Sequence, residues 1–403
     1  MQIDRRTLLG TAAAGLALPR VARAQQKSIK IGVLNDQSGP YRDIGGMLGV
    51  NAVRQAVAEF GSGMPIEVVF ADHQNKPDIA VGIARQWFDR DGVDMIIDVP
   101  TSSVALAVNS VAREKNRVYI NTGAATADLT GVQCTPSTIH WSYDTYMLAR
   151  STGGAMVAAG GDSWYFVTAD YVFGQQLQRD TTQFVTAAGG KVTGASPYPF
   201  PGTTDFSSFL VSAQASGAKV LGLCNAGADT VNSIKQAAEF GLTRKMKIAA
   251  LLMFINDVHG LGLEAAQGLY LTESFYWDMN DRTRAFTKRL QARMPGTTPN
   301  MASAGNYAGT LHFLKAVQEV GIANKSDGAA VVARMKATPT EDDAFGSGTI
   351  RADGLFLCPS YLFEIKTPAE SKYPWDYYKR IATTPADKAW RPLSDGGCPL
   401  VRA

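Results

Sequence analysis

Apolar runs of four to six residues, rich in β-branched side chains, recur along this chain. They alternate with stretches whose apolar positions return every three to four residues. Runs at 29–34, 66–71, 95–99 and Val118–Asn121 predict buried strands. Between them, Val50, Val53 and Val57 share one face of 46–60, and Ile79, Ile83 and Trp87 share one face of 78–90, which predicts helices. Continuous apolar strands separated by helices indicate a parallel sheet covered on both faces. The pattern restarts at 164–168 and continues through 191–194, Val220–Cys224, 248–253 and 269–272, with helical stretches at 206–216 and 230–240. It then turns helical at 283–294, 302–320 and 329–337, with short strands at 348–350 and 361–365. Two α/β sets in series and a helical return predict an α/β protein of two lobes. The halves share architecture but no sequence repeat. The aromatic tail, Tyr373-Pro374-Trp375-Asp376-Tyr377-Tyr378 and its flanks, reads as packing across the lobes.

The start of the chain changes where this protein is expected to work. Arg5-Arg6, an apolar run through Leu18 and the small-x-small site Ala22-Arg23-Ala24 follow the plan of a signal peptide of twin-arginine type. The apolar run is shorter than the roughly 20 residues of a membrane crossing. The mature chain is expected to begin at Gln25, outside the cytoplasmic membrane. The 39 Lys and Arg against 36 Asp and Glu fall level once residues 1–24, with four arginines and one acid, are set aside. Balanced charge argues against nucleic acid or an anionic membrane as partner. In an oxidising compartment, the four cysteines can pair. Cys224 sits in an apolar strand, whereas Cys134 and Cys398 sit in polar loops and are favoured, although three full connectivities stay open.

Chemistry is sparse. The chain has no GxSxG elbow, phosphate loop, HExxH helix or CxxC pair. Gly260-Leu261-Gly262 opens like a dinucleotide fingerprint but follows an Asp-Val-His turn instead of a strand. The histidines (73, 140, 259 and 312) are not spaced as metal ligands on one helix. No cofactor or metal is expected, and an exported enzyme is the weaker alternative.

Ligands of open parallel sheets bind beyond the carboxyl ends of the strands. The turns there hold candidates. After 95–99 come Thr101, Ser102 and Ser103, three hydroxyls at a helix start, where free N–H groups and the positive dipole end favour an anion. After Val118–Asn121 come Gly123, Ala124, Ala125 and Thr126, small enough for close backbone approach. The first strand leads to Tyr41, the 164–168 strand to Tyr171 and Phe173, and Val220–Cys224 to Asn225 and Ala226. Aromatics facing hydroxyls make a cleft for a small molecule with one polar end.

These turns, with Ser38-Gly39-Pro40, Thr101-Ser102-Ser103, 123–129 and 170–174, resemble the leucine/isoleucine/valine-binding protein family, over about 30–399. The resemblance implies a type I periplasmic-binding fold, with two Rossmann-like lobes joined by three crossings. It groups 28–145 with 277–352, and 146–276 with 353–403. It implies a solute receptor that is not an enzyme, a small carboxylate-bearing ligand (an aromatic or aliphatic acid favoured, with a branched-chain amino acid or amide as alternatives), and an ABC importer permease as partner; a monomer is the default, and a sensory receptor is the alternative. By resemblance, Thr101, Ser102 and the 123–126 turn hold a ligand carboxylate, Phe173 covers the ligand beside Tyr171, and Cys134 pairs with Cys398. Amino-acid-binding members place an acid in the turn after the strand matching 248–252. Here that turn is Leu252-Met253-Phe254, with Met253 expected at the ligand. Asp170, Asp229 and Asp257 are the possible substitutes. The departure favours a carboxylate without an ammonium, because an unpaired buried ammonium is costly.

Overall fold

The computed structural model describes residues 28–61 and 63–401; the expected leader, 1–24, lies outside the described residues. Ile29–Asn35, Ile66–Asp72, Met95–Asp98, Val118–Asn121 and Thr138–His140 form one parallel sheet. Their order across it is second, first, third, fourth, fifth. The second sheet repeats that order with Ser163–Ala169, Lys191–Tyr198, Val220–Cys224, Lys247–Ala250 and Tyr270–Glu273. It then adds Ser360–Ile365 and Tyr378–Thr384, each antiparallel to its neighbour. In each sheet the order reverses between the first and third strands of the set. Connections leave that point on opposite faces and open a crevice at the strands' carboxyl ends.

Burial explains the sequence pattern. Met95–Asp98, Val118–Asn121 and Val220–Cys224 are buried at every position, so they read as unbroken runs. The edge strand Lys191–Tyr198 alternates between exposed and half-buried positions. The helix expected over 78–90 is regular only over Pro77–Gln86 and then widens into a π-turn, Trp87–Asp91. Gly32 makes room there: a Cβ would stand 2.5 Å from the Trp87 ring.

The chain passes between the sheets three times, after His140, after Glu273 and between Leu357 and Ser360. The long helix Met301–Val320 packs on Gly46–Phe60 and so returns the chain to the first lobe. Ile31, Ile97 and Ile120 of the first sheet and Trp164 and Phe166 of the second belong to one apolar cluster, which also contains Tyr41, Phe173 and Phe254. The outer faces carry separate cores.

The tail departs from the grouping expected for 353–403. Its strand Tyr378–Thr384 does join the second sheet, but its end lies on the first lobe's side. The Arg391 guanidinium donates to the Ala127 carbonyl at 2.9 Å, and Cys398 is bonded to Cys134 with a Cα separation of 5.6 Å. Cys224 and Cys358 are buried thiols. Among the described residues no helix is long and apolar enough to cross a membrane.

Candidate ligand site between the two lobes

The first lobe's wall is built by side chains that tie three turns together. Asp36 accepts from the Gly39 N–H at 2.7 Å and the Tyr41 N–H at 2.8 Å, which folds 36–41 back and presents the Tyr41 ring. The same carboxylate accepts from Asn75 Nδ2 at 2.8 Å, and Asn75 Oδ1 accepts from the Thr101 hydroxyl. The turns after the first, second and third strands are thereby held as one unit. Thr101 is the N-cap of Ser102–Lys115, but its side chain does not cap that helix. The first-turn N–H groups therefore lack an intrahelical or side-chain acceptor. Ser102 is buried beside them, and its hydroxyl has no partner.

Beneath this wall lies a polar knot. Asp98 and Val99 adopt φ of 88° and 58°, consecutive left-handed conformations at non-glycine residues. The Asp98 carboxylate accepts from Asn35 Nδ2 at 2.9 Å and from Asn306 Nδ2 at 3.0 Å. Its carbonyl accepts from the Thr122 and Gly123 N–H groups. Burial pushes the Asp98 carboxyl up to about 6, partly offset by the two amides.

The second lobe contributes aromatic cover. Tyr171 and Phe173 begin the helix after Ser163–Ala169. The Tyr171 ring stacks on Phe200 at 4.4 Å, and Phe200 stacks on Tyr41 at 5.4 Å. The Tyr41 and Tyr171 hydroxyls meet across the lobes at 2.6 Å. Burial raises both phenols well above their ordinary value, so both stay neutral. Tyr41, Ile44, Pro100, Gly123, Ala125, Tyr143, Tyr171, Phe173, Ala226, Leu252 and Phe254 together line a narrow cavity that is nearly filled in this conformation, with a volume of about 10 Å³. A larger groove, with Lys219, Arg244 and Lys247, lies at the amino ends of the second sheet's strands. That is the end opposite the turns that bind ligands in such sheets, so the smaller cavity is the candidate site.

The structure brings together Tyr41, Gly123, Ala125, Tyr171, Phe173 and Ala226 of the residues expected from sequence. Others it turns away. Met253 packs into the second lobe's outer core, because the extended backbone there sends its neighbours Leu252 and Phe254 into the cleft instead. Ala124 faces the first lobe's outer core, with its N–H and carbonyl both bound to the Asn121 side chain. The Thr126 hydroxyl accepts from the Asp128 N–H, the Thr101 hydroxyl serves Asn75, and Ser102, buried, and Ser103, half-buried, both lie outside the cavity lining, next to its Pro100. The Asn225 side chain is engaged by Thr230 and Ser233. Sequence reasoning missed Ile44, Pro100 and Tyr143. Tyr143 follows the three-residue strand Thr138–His140, too short to read from pattern.

No possible substitute acid lines the cavity. Asp170 accepts from Gln175, Asp229 from the Tyr198 hydroxyl at 2.8 Å, and Asp257 from the Phe254 N–H at 2.9 Å. Among the described residues no group of three His, Cys, Asp or Glu could hold a metal ion.

Two lobes of identical strand order, facing each other across a cleft at their switch points, define a solute-binding protein. The chain belongs to the periplasmic binding protein family, whose sequence profile it matches over residues 28–372. It is similar to a periplasmic binding protein from Burkholderia mallei, at 49% identity over 93% of this chain and 100% of that one, with a TM-score of 0.89. A branched chain amino acid ABC transporter periplasmic ligand-binding protein from Burkholderia xenovorans is 37% identical over 92% of this chain and 99% of that one, at a TM-score of 0.80. A Leu/Ile/Val-binding protein homolog of Brucella melitensis is 24% identical over 77% of each chain. A Rhodopseudomonas palustris solute-binding protein solved with benzoate shares the fold, at 22% identity, a TM-score of 0.79 and coverage of 88% and 96%. Family and fold are those of transporter solute receptors rather than enzymes, and the family implies a periplasmic location and a membrane permease as partner.

Proposed function

We propose that this protein captures a small carboxylate without an ammonium, aromatic or aliphatic, and delivers it to an ABC importer as a monomer exported by the twin-arginine route. One observation carries the reading. A single cavity has aromatic and aliphatic walls on the second lobe and, on the first, sits beside an uncapped helix start and an unpartnered Ser102 hydroxyl. Such a site matches an anion at one end and an apolar body at the other. The cavity is narrow, so a ligand enters only if the walls part, which breaks the Tyr41–Tyr171 contact. Closure over the ligand then makes contacts to both lobes and shifts the open–closed equilibrium. The benzoate complex of the distant relative is in keeping with an aromatic acid. The Burkholderia xenovorans relative's description favours a second reading, a branched-chain amino acid.

Calorimetry with benzoate, hydroxybenzoates and aliphatic acids, each beside its methyl ester and primary amide, tests the anchor. The acid is expected to bind well above the ester. Ser102→Ala is expected to weaken the acid by about tenfold to a hundredfold, since a hydrogen bond to a charged group contributes roughly 1.5–3 kcal/mol. Equal binding of ester and acid, with a silent Ser102→Ala, removes the anchor from this site.

Gly123→Ala probes the same wall from the backbone. A Cβ there would stand 2.8 Å from the Pro100 Cα and 2.7 Å from Asp98 Oδ1. The turn must shift, at a cost of about 1–3 kcal/mol. Acid binding is expected to fall roughly tenfold or more in the same titration; unchanged binding would place the carboxylate elsewhere.

A further inference from the structure

We propose that Asp98 is the positioning residue of the anion anchor and takes up one proton from solvent when a carboxylate binds above it. This inference rests on the proposed carboxylate site. Asp98 lies directly behind the anchor. The Gly123 backbone lines the cavity, and Asp98 Oδ1 stands 2.7 Å from the position a Gly123 Cβ would take. That oxygen is buried and has no hydrogen-bond partner, while Oδ2 is held by Asn35 and Asn306. The Asp98 carbonyl fixes the Thr122 and Gly123 N–H groups, and its left-handed backbone leads straight into Pro100 and the helix start.

Among the described residues, the surroundings supply no countercharge. The helix Gly46–Phe60 presents Gly49, whose Cβ would fall 2.5 Å from Oδ2, and Met301–Val320 presents the Asn306 amide. The first strand presents the Asn35 amide. The ionisable groups that feel Asp98 are the Tyr119 and Tyr143 phenols, both neutral and pushed up by burial. A ligand carboxylate arriving on the far side of Gly123 is therefore a like charge across one turn of backbone, in a place with little water to screen it. Repulsion is relieved by protonating Asp98 on Oδ1, the oxygen no amide occupies. Burial already holds this carboxyl near 6 without ligand, so the added anion carries it through neutral pH.

The sign follows from linkage. The complex binds more protons than the free protein, so affinity falls as pH rises above about 6, by up to tenfold per pH unit, until the raised value of the complex is passed. Below about 6, Asp98 is already protonated and the slope vanishes.

The experiment is calorimetry of the exported protein with benzoate and 4-methylpentanoate as probes, at neutral pH, in buffers of different ionisation enthalpy. Net proton uptake is expected, with affinity declining as pH rises. Asp98→Asn is expected to lose both the uptake and the slope, while Glu273→Gln, another buried acid raised by burial, keeps them. Should Asp98→Asn not fold, Asn35→Ala serves: it removes one amide from Oδ2 and is expected to move the uptake to higher pH. Binding without proton uptake overturns the proposal and leaves the carboxylate site standing. Uptake that survives Asp98→Asn, or that Asn35→Ala does not move, also overturns it. If no acid binds at all, the site reading falls and this coupling falls with it.

Discussion

Protein carrying serine at both Cys134 and Cys398 is expected to unfold about 3–6 °C below the native protein, a loss of roughly 2–5 kcal/mol. The bond closes a loop with a sequence separation of 264 residues. Long loops gain most in the chain-entropy account of cross-links, because the open unfolded chain has the most freedom to lose. Its location adds a functional consequence. Cys134 lies just past the turn Ala127–Thr130, and the Arg391 guanidinium reaches into that turn at the Ala127 carbonyl. Thr126, the last residue of the small-residue turn of the anchor, caps it. Freeing the tail therefore loosens the frame behind Gly123 and Ala125, and ligand affinity is expected to fall together with stability. Differential scanning calorimetry of the double variant and non-reducing peptide mapping of the exported protein check this. Equal unfolding temperatures, or Cys134 and Cys398 both found as free thiols in periplasmic material, contradict it; Cys224 and Cys358 are free in either case.

Buried parallel strands were legible because burial on both faces writes an unbroken apolar run, as in Val118–Asn121 and Val220–Cys224. What followed those strands was legible for the same reason, and so the turns bearing Tyr41, Gly123, Tyr171 and Ala226 could be found. The order of strands was not, since pairing partners are chosen by contacts far apart in sequence. Tyr378–Thr384 escaped notice because it is an edge strand, exposed at Lys379 through Thr383, with none of the alternation that marks a half-buried strand. The helix Thr145–Ala158 holds Gly153 and Gly154, which weaken its intrinsic signal. The polar knot of Asn35, Asp98 and Asn306 joins residues 63 and 208 positions apart, and no local pattern announces it. Met253 shows the limit at single-residue scale. The turn was identified, but a strand ending at Ala250 instead of 253 decides which side chains face the cleft, and it selects Leu252 and Phe254.

That choice carries the largest expected discrimination. 4-Methylpentanoate is expected to bind at least a hundredfold more tightly than leucine, from which it differs only by the α-ammonium. Leu252 and Phe254 occupy the turn where an acid would meet that ammonium, and Tyr143 packs edge-on against Phe254 at 5.7 Å. The nearby acids are committed elsewhere: Asp229 to Tyr198 and Asp257 to the Phe254 backbone. Burial raises both carboxyls, Asp229 to about 6 and Asp257 to about 7, which makes them poorer anions with which to hold a cation. Placing an ammonium in this cavity without a partner costs on the order of several kcal/mol, at 1.4 kcal/mol per tenfold in affinity. The Tyr41 and Tyr171 hydroxyls can accept a hydrogen bond from it, but as neutral groups they return only part of that cost. Replacing Leu252 by glutamate should then narrow or invert the preference, by supplying the missing anion at the cleft surface. Parallel titrations of the two ligands against native and Leu252→Glu protein decide the matter. Sub-micromolar binding of leucine to the native protein would show that another group holds the amine, and the class of ligand would revert to amino acids.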